Sequence, residues 1–346
     1  MNPQPLLPTC HFSHTGWVEI RLLTSAEDLA SWDAFVQASP QGSLWQSKEW
    51  KGYQEALGRQ TRVYGAFQGQ QMVACALVVI DRTTGGLCTW DIAKGPLTKS
   101  EEKDMHPLLV QIVEEAEADK AMILYFSPSK GATLDVGHCS MRDSDRCEQS
   151  PATRILDLTK THEEILAQMH QKGRYNIKIA QRDGVTVRPG TPSDIDAFYG
   201  ILRATGARDV FTISQKSHYA RFLTNLPNSF FLLAEHEGTP IAGFIGVCWN
   251  GTGYYYYGAS DHAKRALMAP YLLQWEAMKI CKERGCARYD LLGIAPVGSG
   301  PDHAWAGISS FKEKFGGEVI AYAQEQQVMI RPFLWNLLKL KRRILG

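Results

Sequence analysis

What this chain has little of narrows its chemistry first. Lys and Arg number 37 against 36 Asp and Glu in 346 residues, so no overall field gathers nucleic acid or anionic lipid. Any polyanion must be held by a local patch. Long apolar runs are missing: stretches such as Val73 to Ile80 fall far below the roughly 20 residues that span a bilayer. The N-terminus carries Pro3 and Pro5 without a basic start, which argues against export. Eight cysteines (Cys10, Cys75, Cys88, Cys139, Cys147, Cys248, Cys281 and Cys286) include no Cys-x-x-Cys pair. They read as reduced, mostly buried thiols of a cytoplasmic protein rather than as metal ligands. The ten histidines are dispersed and supply no ligand motif, so neither a metal nor a cofactor is expected. No Ser-His-Asp or Cys-His set can be assembled from spacing, and no low-complexity tract or sustained heptad pattern is present.

What is there is organised twice. The chain exceeds the usual size of one hydrophobic core, so two domains are expected. Arg62 to Ile80 reads as strand, turn and strand around Gln68, Gly69, Gln70 and Gln71, and Phe230 to Val247 repeats the pattern around Glu237, Gly238, Thr239 and Pro240. A helical segment precedes each hairpin (Ser47 to Leu57; Asp194 to Thr205) and an apolar strand follows it. Two copies of one α/β unit are the expectation. Between them, Asp157 or Thr159 is expected to cap one long helix with Glu163 and Glu164 in its first turn and Gly184 at its end. The polar segment Ser140 to Ser150 reads as a surface loop. After Gly317 come two short strands, then Pro332 and a helix with Phe333, Trp335, Leu337, Leu338 and Leu340 beside Lys339, Lys341, Arg342 and Arg343. Such a basic amphipathic helix either packs its apolar face on the first domain or rests on an anionic membrane surface.

The stretch Tyr254 to Gly317 is the most informative. A four-tyrosine strand runs into Gly258, Ala259 and Ser260. A helix with Tyr271, Gln274 and Trp275 follows, then a strand Tyr289 to Leu292 ending at Gly293, and finally Phe311, Lys312, Phe315, Gly316 and Gly317. Strand, helix and strand in this order resemble the ligand-holding half of the N-acetyltransferase fold. In that fold the turn before the helix offers a Gly-rich run of backbone N–H groups to a pyrophosphate. Here it reads Lys264 to Pro270 without a glycine, which argues against acetyl-coenzyme A.

Several strings together resemble the FemABX family of aminoacyl-tRNA-dependent transferases that build peptidoglycan cross-bridges. They are Gln46, Ser47 and Trp50; Gly95 and Pro96; Asp157 and Leu158; Arg174, Tyr175, Asn176, Ile177 and Ala180; Arg208, Asp209 and Phe211; and the dense run from Tyr257 to Gly317. The resemblance covers most of the chain. It implies an α/β (α+β) fold of two tandem N-acetyltransferase-like domains with mixed sheets, with residues 1–155 and 318–346 forming the first and 156–317 the second. Lacking a heptad stretch, the chain resembles the compact members without a coiled-coil arm.

The resemblance also implies a reaction: an aminoacyl group moves from a tRNA ester to an amine on the stem peptide of a peptidoglycan precursor, lipid-linked or linked to uridine diphosphate. The ester is already activated, so the enzyme must align the substrates and stabilise an oxyanion. Lys312 follows Phe311 where the family has its cleft lysine. An ammonium there would neutralise the developing charge, while Phe311 would stack on the terminal adenine. Among the strand tyrosines, whose side chains should alternate between faces, Tyr256 is the choice for a substrate hydrogen bond, with Tyr257 beside it. Gly293 would let a substrate backbone approach closely. Asp290 would accept a proton or cap its strand, and Gln274 and Trp275 read as core. Lys172, Arg174 and Lys178 form a basic helix face suited to the tRNA acceptor stem.

The chain departs from the family at the diphosphate contacts. Members acting on a nucleotide-linked precursor have a Lys and an Arg where this chain has Gln54 and Ser214, and a tyrosine at His218. Lys51, Lys216, Arg208 or His218 would have to substitute. Two other readings remain open from sequence: an N-acyltransferase of the same fold with another donor or acceptor, and a precursor-binding scaffold without catalysis.

Overall fold

The computed structural model describes residues 9–13, 16–84, 87–99, 105–128, 139–146, 150–209 and 212–345. Cys147 and Phe211 lie outside the described residues, as do the side chains of Cys10 and of residues 341–345. The chain divides into two compact units, 1–149 with 322–346, and 150–321.

The first unit contains β1 (Thr9–Ser13), β2 (Gly16–Leu22), α1 (Ala26–Ala38), α2 (Lys48–Ala56), β3 (Gln60–Gln68), β4 (Gln71–Thr84), β5 (Leu87–Ile92), β6 (Leu97–Thr98), α3 (Met105–Ala118), β7 (Ile123–Phe126) and β8 (Ser140–Asp143). The second contains β9 (Ala152–Asp157), α4 (His162–Gln168), α5 (Gln171–Arg182), β10 (Thr186–Pro189), α6 (Ile195–Asp209), α7 (Lys216–Asn225), β11 (Ser229–His236), β12 (Thr239–Trp249), β13 (Thr252–Ser260), α8 (Ala269–Glu283), β14 (Arg288–Ile294), α9 (Ala306–Glu313) and β15 (Glu318–Ala321). The tail, β16 (Gln326–Met329) and α10 (Pro332–Leu345), belongs to the first unit.

Among the described residues the first sheet runs β1-β2-β3-β4-β5-β7-β16-β8, with β6 on β4, and the second runs β10-β11-β12-β13-β14-β9-β15. Both are mixed. Each holds an antiparallel hairpin, β3–β4 or β11–β12, followed by an antiparallel strand and then a parallel pair, β5–β7 or β13–β14. The second hairpin closes through Glu237 and Gly238, both at positive φ, the geometry that matches the right-handed strand twist. The apolar faces of α3 and α8 cover their own sheets and close separate cores.

Three expectations change. A domain boundary at 155/156 would cut through β9, and one at 317/318 would remove β15 from the sheet that β9 anchors. The interval from Ser140 is no plain surface loop, because β8 pairs with β16 at the end of the first sheet. The long helix before Gly184 is two helices. Thr161 and Glu164 form a reciprocal capping box that starts α4, in place of Asp157 or Thr159. The chain then breaks at the buried, extended Met169, and His170 Nδ1 accepts from the Lys172 N–H to start α5.

Candidate functional site

The site is built where β13 and β14 part. Their parallel pairing covers only Thr252 to Tyr254 against Arg288 to Asp290. Two irregularities flank the opening. On one side Ile245 faces Tyr257 while Gly246 faces Tyr255, so Tyr256 is the extra residue of a β-bulge. On the other, the register of β14 against β9 shifts between Asp290 and Gly293, and Leu292 adopts φ 55°. A branched residue in the left-handed region is strained and must be held. Asp290 holds it: its Oδ1 accepts from the Leu292 N–H at 2.7 Å and from the Thr153 hydroxyl. Of its two expected roles, Asp290 therefore shows the structural one.

The strained turn aims the Gly293 carbonyl at Lys312. Lys312 Nζ donates to Gly293 O at 2.6 Å and lies 5.6 Å from the centre of the Tyr255 ring. The ammonium is buried, 6 % exposed, and desolvation pushes it down to about 8, opposed by the negative charge of Asp290. Lys312 is thus a cation fixed on a backbone carbonyl, far from the solvated lysine usual on a helix. Gly316 and Gly317, both at φ 78°, turn the chain away after α9. A Cβ on either would fall 2.4 Å from a backbone oxygen, Gln168 O or Ile155 O, so both positions require glycine.

A cavity of about 830 Å³ lies within the second unit; Lys312 is not one of its lining residues, but Phe311 next to it and the Tyr255 ring 5.6 Å from its Nζ are. Its lining includes Tyr255, Tyr271, Gln274, Trp305, Ile308 and Phe311, and also Lys264, Arg265 and Met268. Phe311 meets Tyr271 edge-on at 5.1 Å and Phe315 at 5.2 Å, leaving it half-buried on the wall. Tyr255 stacks on Phe244 at 5.3 Å and 8°. Its hydroxyl is hydrogen-bonded to Gln274, and burial pushes it up to about 12. Gln274 also accepts from the Tyr289 hydroxyl at 2.7 Å. Gln274 and Trp275 are buried, as a core reading requires.

Other expected residues fall elsewhere. Tyr256 packs on Phe222 at 4.7 Å and Tyr257 on the same ring at 5.3 Å. The bulge breaks the alternation, so the tyrosine brought to Lys312 is Tyr255. His218 Nε2 and the Tyr257 hydroxyl share a hydrogen bond of 2.8 Å, and the Ser214 N–H donates to Tyr219 beside them. Arg208 lines the cavity but is clamped bidentately by Asp209. Lys51 is paired with Glu55 and Lys216 with Asp196, so each lysine or arginine that could replace the missing diphosphate contacts already faces a carboxylate. Gln54, in the first unit, is buried and accepts from Arg59 at 2.6 Å. It is tied up in the fold and not presented to a substrate. Arg174 turns its guanidinium onto the carbonyls of Ala167 and Met169, capping α4, while Lys172 and Lys178 stay exposed. Of the three cations, Arg174 is thus engaged by the fold, and Lys172 and Lys178 face solvent.

Sequence reasoning passed over Tyr255, Trp305, Lys264 and Arg265. The adjacent cations of the glycine-free turn were a usable signal. Both are exposed, line the cavity and stand just before the N-terminus of α8, where the N-acetyltransferase fold has its Gly-rich turn.

A model of the FemAB family matches residues 28–146, 138–237 and 228–343. The lipid II:glycine glycyltransferase of Staphylococcus epidermidis is 20% identical over 394 aligned residues, covering 90% of this chain and 94% of that one. The Staphylococcus saprophyticus enzyme of the same name is 24% identical, covering 82% and 87%. The crystal structure of FemX superposes with a TM-score of 0.76 at 18% identity, over 92% of this chain and 99% of that one. A tandem GNAT protein from the clavulanic acid biosynthesis pathway gives 0.54 at 13% identity, over 90% and 97%. With two mixed sheets of this topology and a family match running nearly end to end, the chain belongs to the FemAB family.

Proposed function

We propose that this protein is an aminoacyltransferase that moves an aminoacyl group from aminoacyl-tRNA to a stem-peptide amine of a lipid-linked peptidoglycan precursor. The observation that carries this reading is a buried ammonium, Lys312, fixed 2.6 Å from Gly293 O and 5.6 Å from the ring of Tyr255, a residue of the cavity wall, in a chain matched along its length by the FemAB family. The named relatives act on lipid II, which favours the lipid-linked acceptor over the nucleotide-linked one.

The chemistry follows from the geometry. The incoming amine attacks the ester carbonyl, and negative charge develops on the carbonyl oxygen. A preorganised cation in a water-poor site stabilises that charge without reorganising. Lys312 is such a group, and its anchor on Gly293 O removes the rotamer freedom a surface lysine keeps. As the tetrahedral intermediate collapses, the ester C–O bond breaks and the proton lost by the amine ends on the departing ribose oxygen, which leaves as a hydroxyl. Phe311 and Tyr271 offer faces for the terminal adenine, and Lys264 and Arg265 offer charge for the phosphates next to it.

A lipid-linked acceptor requires access to a membrane surface. Helix α10 buries Trp335 against Tyr125, at 6.4 Å between rings, with Leu338 packed in the same cluster. Phe333, Leu337 and Leu340, spaced along one face, remain 78, 54 and 55 % exposed. This stripe is the segment that would touch lipid. Among the described residues no helix is long and apolar enough to cross a membrane.

One reconstitution tests the proposal: purified protein, charged tRNA and lipid II, with mass spectrometry of the precursor. The expected product carries one added aminoacyl residue. Unchanged precursor with every charged tRNA, alongside acyl transfer from a coenzyme A thioester, would replace this reading with an acyl-coenzyme A transferase.

A further inference from the structure

Away from the cavity, at the opposite end of α8, three thiols converge. Cys248 lies near the end of β12, Cys281 in the last turn of α8, and Cys286 in the turn that leads to β14. Their sulfurs all lie within 4.8 Å of one another, with Cys248 and Cys281 at 3.7 Å. All three are buried, Cys281 completely. No Cys-x-x-Cys spacing announces this cluster, because one member is a whole helix and strand away.

Several features make it more than three apolar thiols filling a core. The turn is set by the Cys286 N–H donating to the Cys281 carbonyl at 2.9 Å. Gly253 on β13 leaves room for the sulfur, since a Cβ there would fall 2.3 Å from Cys281 Sγ. Arg284, over the Phe230 ring at 4.7 Å, brings a positive charge to the cluster. Three buried sulfurs this close together, with a guanidinium beside them, form a ligand set.

We propose that Cys248, Cys281 and Cys286 bind one thiophilic cation of the zinc(II) type. Around tetrahedral zinc, with Zn–S of about 2.3 Å, sulfurs sit about 3.8 Å apart. One pair here is already at 3.7 Å, and closing the widest takes at most about 1 Å. Three thiolates on Zn²⁺ leave one net negative charge, which Arg284 offsets. Binding displaces the protons of the thiols and leaves one coordination position for a small exogenous ligand such as water. Soft sulfur donors also select such an ion over Mg²⁺ or Ca²⁺. The ion would pin the end of β12 to the α8–β14 turn and so fix the strand that carries Asp290 and Gly293. This inference does not depend on the proposed transfer reaction.

The test uses the full-length protein, reduced and stripped of metal, titrated with Co²⁺ and then Zn²⁺. One equivalent of Co²⁺ per chain should produce a thiolate-to-cobalt charge-transfer band in the near ultraviolet that Zn²⁺ abolishes. C248S and C286S should each weaken binding beyond the about 10–100-fold typical of losing an outer-shell partner. C75S and C88S, with circular dichroism verifying the fold of every variant, should keep the band. Absence of the band in folded wild-type protein would overturn the proposal, as would its persistence in both C248S and C286S. A Cys248–Cys281 disulfide found by mass spectrometry of the unreduced protein would overturn it too.

Discussion

The two units repeat one strand pattern yet treat the same joint in opposite ways. In the first, the parallel pair β5–β7 stays zipped from Thr89–Ile123 to Ile92–Phe126, the whole length of β7. Gln46, completely buried, seals the neighbourhood: its Oε1 accepts from the Leu77 N–H at 2.7 Å and its Nε2 donates to Ala93 O at 2.8 Å. In the second, β13 and β14 separate after three residues, and two β-bulges, a strained Leu292 and a buried cation occupy the space. The polar group buried at this joint of the first unit, the Gln46 amide, is neutral and bonded through both its oxygen and its nitrogen. At the corresponding joint of the second unit the buried group is a charged one, the Lys312 ammonium on Gly293 O. The proposed function uses this difference, placing the transfer chemistry at the parted joint of the second unit.

The sharpest way to break this contrast is Lys312→Met. If the open joint is the reacting one, turnover in the reconstituted assay should fall by about 100-fold or more, while the variant becomes more stable, because a buried ammonium is removed. Wild-type turnover would sink the assignment. The pH dependence carries the same sign. Lys312 titrates near 8 when folded against 10.5 when free, so below 8 it is protonated in both states and adds no slope. Between the two values only the unfolded chain holds the proton, so stability rises with pH there. Activity, needing the ammonium, should fall over the same interval. Lys312→Met should flatten the stability slope, as thermal unfolding at stepped pH would record.

Tyr255→Ala should rank next, cutting turnover by about 10-fold or more through lost positioning, whereas Tyr256→Ala, on the Phe222 side, should cost less. Equal losses would reinstate Tyr256 as the site tyrosine. Gln46→Leu should act in the closed unit instead. It orphans the Leu77 N–H and the Ala93 carbonyl, at about 1–3 kcal/mol for each buried group. Hydrogen exchange should show weaker protection at Leu77 and unchanged protection around Lys312.

The architecture was legible because hairpins and amphipathic helices declare themselves by periodicity: the turns at Gly69 and Glu237–Gly238 and the helix after Met268 are where local pattern puts them. Lys312, Phe311 and Gly293 were expected from the resemblance, and the structure brings Lys312 and Gly293 into direct contact. What was hidden is what alternation cannot encode. A bulge that arises from pairing across two strands exchanged Tyr256 for Tyr255. Thr161 took the helix cap because its partner Glu164 sits at the right spacing, which Asp157 and Thr159 lack. Arg174 looked like a tRNA contact until the break at Met169 created carbonyls for it to cap. The thiol cluster needed the third dimension, since Cys248 and Cys281 stand 33 residues apart.

The smallest expected effect on fold is on the tail, and it sharpens the division between units. Leu337 is more than half exposed, so Leu337→Glu removes little packing and should change stability by no more than about 0.5 kcal/mol. Trp335, 7 % exposed against Tyr125, is the contrasting position. Its replacement by Ala should cost about 3–5 kcal/mol. If the first unit supplies membrane contact and the second supplies chemistry, Leu337→Glu should lose flotation with anionic vesicles and slow transfer to lipid II. It should leave transfer to a water-soluble muropeptide amine at wild-type rate. Flotation unchanged by both Leu337→Glu and Phe333→Glu would detach α10 from the membrane reading and leave the stripe as an unexplained surface of the closed unit.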